Sequence, residues 1–264
     1  MRLALPLARL DDRRQILSRI DRVRWSAESG LLEGVDRLRE QAYRVILGSV
    51  ADAFDVKRED AATLARYDTS TLVRPENISK QWNNHKHYRD HSQSLGKLLL
   101  FARRLCEAGC GFVTVTTSFV WDMHADVNNA GVDEGMGYMG VPLDYALSAL
   151  IDDLEARGLD DRVLVVVCGE MGRTPRLNAR GGRDHWGNLA PLLLYGGGLP
   201  KGQVIGQSTR NGGEPLSDRV TIKNLLGTIL HTLLNTSEVR ITRGVPSDVD
   251  RLLTEAEPIA GLLS

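Results

Sequence analysis

Residues 163–198 read VLVVVCGEMGRTPRLNARGGRDHWGNLAPLLLYGGG, and the fold is read outward from here. Val163 to Val167 is an apolar run with no polar alternation. That pattern predicts a strand buried on both faces, as in a parallel sheet between helix layers. The run ends at Cys168 and delivers the carboxylate of Glu170 onto a glycine-rich loop. So short a distance from an apolar strand, this carboxylate is expected close to the core, where it needs a metal or an ion-pair partner such as Arg173 or Arg183. The loop also holds the acid–imidazole pair Asp184-His185, and PLLLYGGG closes the stretch as a further strand.

Upstream, SLGKLLLFARRLCEAG reads as a helix ended by Gly109, and FVTVTT as a strand. WDMHAD follows directly and adds Asp122, His124 and Asp126, with Trp121 read as packing. VPLDYALSALIDDLEARG is an amphipathic helix ending at Gly158. Downstream, GQVIG reads as a short strand and TIKNLLGTILHTLL as an amphipathic helix; from Pro246 the pattern is weak. Repeated helix-then-strand units predict an α/β fold with a parallel or mixed sheet between helix layers. In such sheets, sites form at the carboxyl ends of strands.

Residues 1–93 read differently, as a helical N-terminal portion and a loop, with 94–264 as the α/β core. Ile16, Ile20 and Val23 form one apolar stripe, and Leu31, Leu32, Val35, Leu38, Ala42, Val45 and Ile46 another. Lys57 to Arg66 predicts a short helix, and Asp68 to Asp90 a long loop. His85 and His87 lie in that loop and His91 just beyond it, and all three are expected to be exposed rather than metal-binding.

Composition bounds the function. The chain has 264 residues, 42% hydrophobic and 25% charged, so a packed core is expected. A net charge of −1 argues against a nucleic-acid surface, which needs a basic excess. No apolar run approaches the roughly 18 residues of a membrane helix. The start, MRLALPLARLDDRR, lacks a signal-peptide cleavage pattern. Cys106, Cys110 and Cys168 match no zinc spacing and read as buried apolar thiols.

Asp122 and His124, Glu170, and Asp184 with His185 each fall in a loop beyond an apolar run. Their conjunction predicts one shared divalent-metal site with Asp122, His124, Glu170 and His185 as ligands. Asp184 is the expected outer acceptor orienting an imidazole, and Arg173 and Arg183 the expected anion holders. Zn, Mn, Ca and Mg all remain open. YGGGLPKGQ lacks the helix and GK[ST] of a phosphate-binding loop and reads as a tight turn. A nucleotide-binding protein is disfavoured for that reason. No GxSxG elbow is present, and Thr174 is followed by Pro175, so no nucleophile stands out.

The motifs ARRLCEAG, FVTV, WDMH, ALSALIDDLEARGL, GEMGRTP, GGRDHW, LLLYGGG and GQVIG resemble, in this order, the bacterial family called domain of unknown function 1501. The resemblance continues through LLGTILHTLL and, more loosely, back into the N-terminal helices. That family is grouped with the sulfatases and alkaline phosphatases. The resemblance implies an alkaline-phosphatase-like fold and metal-dependent hydrolysis of small anionic sulfate or phosphate esters. It places Glu170 where those enzymes have the aspartate of a late DHG or DNG motif, with Met171 replacing the next ligand. It also implies a further N-terminal segment with a first strand, a metal-binding aspartate and the nucleophile, which this chain does not match. The chain alone is therefore expected to be inactive, and a sheet edge is expected to need a partner or that segment. The alternative is a non-catalytic binding or scaffolding protein. Relatives are commonly exported, so localisation stays open.

Overall fold

The computed structural model describes residues 50–117, 121–217, 219–242 and 244–263. The apolar stripes expected between Ile16 and Ile46 lie outside these residues. The described chain forms two compact units, one containing 50–59 with 104–113 and the other 60–103 with 114–263.

In the first unit, helix α1 spans Val50–Ala53 and a 3₁₀ turn spans Val56–Arg58. Arg104 satisfies carbonyls that the end of α1 leaves open: Nε donates to Ala53 O and Nη2 to Asp52 O, both at 2.7 Å. Its Nη1 pairs with Glu59.

The second unit is built on two long helices. After the short α2 (Ala61–Arg66), capped by the Asp60 side chain on Thr63 N, come α3 (His85–Glu107) and α4 (Val132–Ala156). The last turn of α3 belongs to the first unit. α3 starts well before the predicted Ser94, so the three histidines lie on a helix and not on an exposed loop. His91 is buried, its Nε2 3.1 Å from Met139 O, and burial holds its pKa below the ordinary value. α4 likewise starts before Val141 and runs through Pro142, which is buried. Proline interrupts a helix by losing one N–H and crowding the preceding turn; here packing of Met139 and Gly135 against Met123 outweighs that local preference. Gly109 and Gly158 follow α3 and α4 with φ of 90° and 61°, as their sequence placement requires.

A buried ion network joins these helices. Asp153 accepts from Tyr67 Oη at 3.0 Å and Arg157 Nε at 2.7 Å, and lies 2.9 Å from Arg103 Nε. The side chains of Arg103 and Asp153 are 0% and 3% exposed. Burial, then the Asp153 carboxylate, push the Tyr67 phenol well above its usual pKa, so it remains a donor.

The strands depart from expectation. β1 (Leu164–Cys168) pairs antiparallel with β4 (Leu192–Gly196), and inside that pair β2 (Gly172–Arg173) pairs antiparallel with β3 (His185–Trp186). β5 (Gln207–Ser208) and β6 (Pro215–Ser217) form a third antiparallel pair. The protein is thus mixed α/β with small antiparallel sheets, and the described residues contain no parallel pairing. The reason is topological: parallel neighbours need a helical crossover, and none lies between β1 and β4. β1 is half-buried along most of its length rather than covered on both faces. Residues 112–117 and 203–206 are not strands. Gly196, Gly197 and Gly198 form the expected tight turn, all at positive φ.

α5 (Ile222–Leu233) packs on β1 and carries a capping box between Thr221 and Asn224. α6 (Thr236–Ile241) and α7 (Ser247–Glu255) complete the unit, α7 falling where the sequence pattern was weak. Cys106 and Cys110 are partly buried and Cys168 is exposed, so the reading of all three as buried thiols fails. No helix among the described residues is long and apolar enough to cross a membrane.

Removing the Asp153 carboxylate would break a buried ion pair. Asp153→Ala is expected to lower unfolding free energy by about 3–5 kcal/mol in urea titration. A loss under about 1 kcal/mol would mean that the network contributes little.

Candidate metal centre

Asp122 and His124 flank Met123, which is buried in a core cluster with Val73, Ile78, Tyr88, Ala130 and Met139. Trp121 packs against the same cluster, as read from the sequence. Anchoring the middle residue leaves its two polar neighbours at the edge of the core. Asp122 and His124 are 29% and 20% exposed. The backbone then turns sharply. Ala125 has φ of 53°, a left-handed conformation that costs a non-glycine residue about 1–2 kcal/mol. Hydrogen bonds hold it there: Ala125 N donates to Ala130 O, and the Asp126 carboxylate accepts from Asn128 N and Asn129 N. Asp126 is thus a turn residue. An asparagine pairing fixes the turn from outside, with Asn83 Nδ2 on Asn128 Oδ1 and Asn84 Nδ2 on Asn129 Oδ1.

The GGRDHW segment lies along this turn. Arg183 N donates to Met123 O at 2.9 Å, and Val132 N to Gly181 O at 3.0 Å. A Cβ on Gly182 would stand 2.2 Å from the His124 carbonyl carbon and oxygen, so only glycine permits the approach. Asn178 ties the two segments further. Its Nδ2 donates to His124 O, and its Oδ1 accepts from Gly182 N and Arg180 N. Asn178, Gly182 and Ala125 were not singled out as site residues from sequence; the glycine pair after an asparagine was the available signal.

This contact brings Asp122, His124 and His185 together as a potential metal-binding site. His124 Nε2 and His185 Nε2 are 3.2 Å apart, and Asp122 Oδ1 lies 3.3 Å from His185 Nε2 and 3.7 Å from His124 Nε2. Donors bound about 2.0–2.1 Å from one tetrahedral ion stand roughly 3.3–3.4 Å apart. The three separations therefore fit one face of such a shell. His124 Nδ1 is 3.3 Å from Asp184 Oδ1. A proton on Nδ1 facing that carboxylate leaves the Nε2 lone pair turned to the cluster, the tautomer that a ligand needs. Asp184 thus faces His124 and not its chain neighbour His185. His185 is 54% exposed, which leaves the cluster accessible.

Glu170 lies outside this cluster. Its side chain is 75% exposed, against the expected burial, and its Oε1 accepts from Arg173 Nη2 at 3.3 Å. Arg173 also reaches Asp122 Oδ1 at 2.6 Å. Arg183 donates through Nη1 to Thr174 O and Pro175 O, so that nitrogen serves the loop. Thr174 Oγ1 donates to Arg176 O and accepts from Asp184 N. Among the described residues, no hydroxyl or thiol hydrogen-bonds to either site imidazole.

Gly182→Ala must push the two segments apart. It is expected to cost about 1–3 kcal/mol, in the range of overpacking, and to abolish the magnetic contact between the His124 and His185 rings in NMR. Retention of that contact would contradict the role given to Gly182. No curated protein and no solved structure matches this chain. The family described as Protein of unknown function (DUF1501) matches residues 4–262, nearly the whole length. The chain belongs to that family.

Proposed function

We propose that Asp122, His124 and His185 hold one divalent metal, and that the centre is of the kind that hydrolyses sulfate or phosphate esters. The observation that carries this reading is the set of donor separations of 3.2, 3.3 and 3.7 Å, with an outer carboxylate on His124. Two imidazoles and one carboxylate favour Zn or Mn over Ca and Mg, which prefer oxygen donors. A bound metal of this type supplies polarisation of an ester oxygen. Arg173, beside the cluster, suits the remaining oxygens of a sulfate or phosphate group through charge-assisted hydrogen bonds. The grouping with sulfatases and phosphatases that the family resemblance implies supports the same substrate class.

The second reading, a binding protein without turnover, is favoured by one observation. Among the described residues, the hydroxyl that borders the site, that of Thr174, is committed to its own loop. We therefore propose that this chain alone binds a cation and an oxyanion but does not turn over an ester.

Two experiments test this. Calorimetric titration of metal-stripped protein should give one Zn or Mn per chain, with Ca and Mg weaker. His185→Ala should weaken Zn at least about 100-fold, since losing an outer partner alone costs 10–100-fold. Unchanged affinity in that variant would refute the ligand set. Assays with aryl sulfate and aryl phosphate plus added metal should give no turnover above background. Robust turnover would overturn the reading of this chain as a binding protein.

A further inference from the structure

Asp122 Oδ1 has two claimants, the imidazole cluster and a guanidinium. It is the oxygen that faces both imidazoles, at 3.3 and 3.7 Å, and it is also the oxygen bound by Arg173 Nη2 at 2.6 Å. The guanidinium contact is the shortest in the cluster. An ion bound to this oxygen at about 2.1 Å would stand no more than about 4.7 Å from that nitrogen. Like charges that close, in a partly buried site, oppose each other strongly.

We infer that Arg173 is the resident counter-cation of this site: it holds Asp122 until a metal takes that oxygen, and is thereby released to hold an anion beside the metal. The inference rests on the metal reading above and adds an order of binding, cation first and oxyanion second. Three observations support the exchange. Arg173 lies on β2 opposite His185, which fixes its backbone beside the cluster. A second carboxylate, Glu170, already touches the same Nη2 at 3.3 Å and is exposed, offering a partner once Asp122 is given up. Arg173 Nη1 is buried and has no hydrogen-bond partner among the described residues. Once the side chain leaves Asp122, the planar fork brings this unused donor to sulfate or phosphate oxygens.

The competing role for Arg173 is that of an outer partner that stays on Asp122 and steadies it as a ligand. The two roles differ in sign. An outer partner's loss weakens metal binding, about 10–100-fold. A competitor's loss strengthens it. Exchange also imposes linkage: zinc must raise sulfate affinity, sulfate must raise zinc affinity by the same factor, and both effects must need Arg173.

The test uses the full chain, titrated calorimetrically with zinc alone, with sulfate alone, and with each in the presence of the other. Wild-type protein should show reciprocal enhancement of about fivefold or more. Arg173→Gln should bind zinc at least about fivefold more tightly than wild type and show no enhancement by sulfate. Arg173→Lys keeps the charge, so its zinc affinity should stay near wild type, which also guards against a folding defect in the glutamine variant. If wild type binds zinc and Arg173→Gln binds it equally or more weakly, the exchange is wrong and the metal site stands. If neither protein binds zinc, the metal reading falls and the exchange with it.

Discussion

The candidate site depends on one close backbone approach. Gly182 lies against the His124 carbonyl with no room for a Cβ, and Arg183 N and Asn178 Nδ2 fasten the same two segments by hydrogen bonds to Met123 O and His124 O. Two groups some 60 residues apart in sequence, Asp122-His124 and Asp184-His185, become neighbours where these segments meet. The neighbouring turn carries the cost. Ala125 sits in a left-handed conformation that its surroundings must enforce, and the Asp126 cap and the asparagine pairing to residues 83–84 do so. Strain kept in place by several independent hydrogen bonds is what a preorganised site displays.

The chemistry follows from who faces whom. Met123 is sunk in the core, so Asp122 and His124 stay at its rim. Asp184 accepts at His124 Nδ1, which turns Nε2 toward His185 and Asp122. Without a cation, one imidazole must donate to the other, and the acid between them answers to Arg173. A positive charge is therefore already part of the arrangement. A metal and a guanidinium are alternative ways of balancing Asp122, and an incoming oxyanion would be drawn to whichever of them is free.

Much of this was legible in the residues. Asp122, His124 and His185 could be named together because each falls in a loop beyond an apolar run, and the structure gathers the three into one cluster. The strands at 164–168 and 192–196 and the helix ends at Gly109 and Gly158 were also readable. The sheet was misread. Helix–strand alternation suggested parallel strands, yet no helical pattern separates Val167 from Leu192, and a chain without a crossover can only return antiparallel. Glu170 was expected near the core from its nearness to the valine run; the turn into β2 carries it outward instead. The starts of α3 and α4 were missed because tertiary contacts, His91 with Met139 and Gly135 with Met123, extend both helices through histidine- and proline-bearing segments that local preference would leave out. Arg173 on Asp122 had no sequence signal, since spacing says nothing of which arginine meets which acid.

The account's central claim is that two imidazoles and one carboxylate converge on a single cation. X-ray absorption at the zinc edge on the stoichiometrically loaded chain tests it most directly. The predicted spectrum has a shell of nitrogen and oxygen near 2.0–2.1 Å, with the outer scattering of two imidazole rings, one ring being lost in each of His124→Ala and His185→Ala. A loaded ion whose shell lacks imidazole, or whose spectrum is unmoved by either substitution, would contradict it.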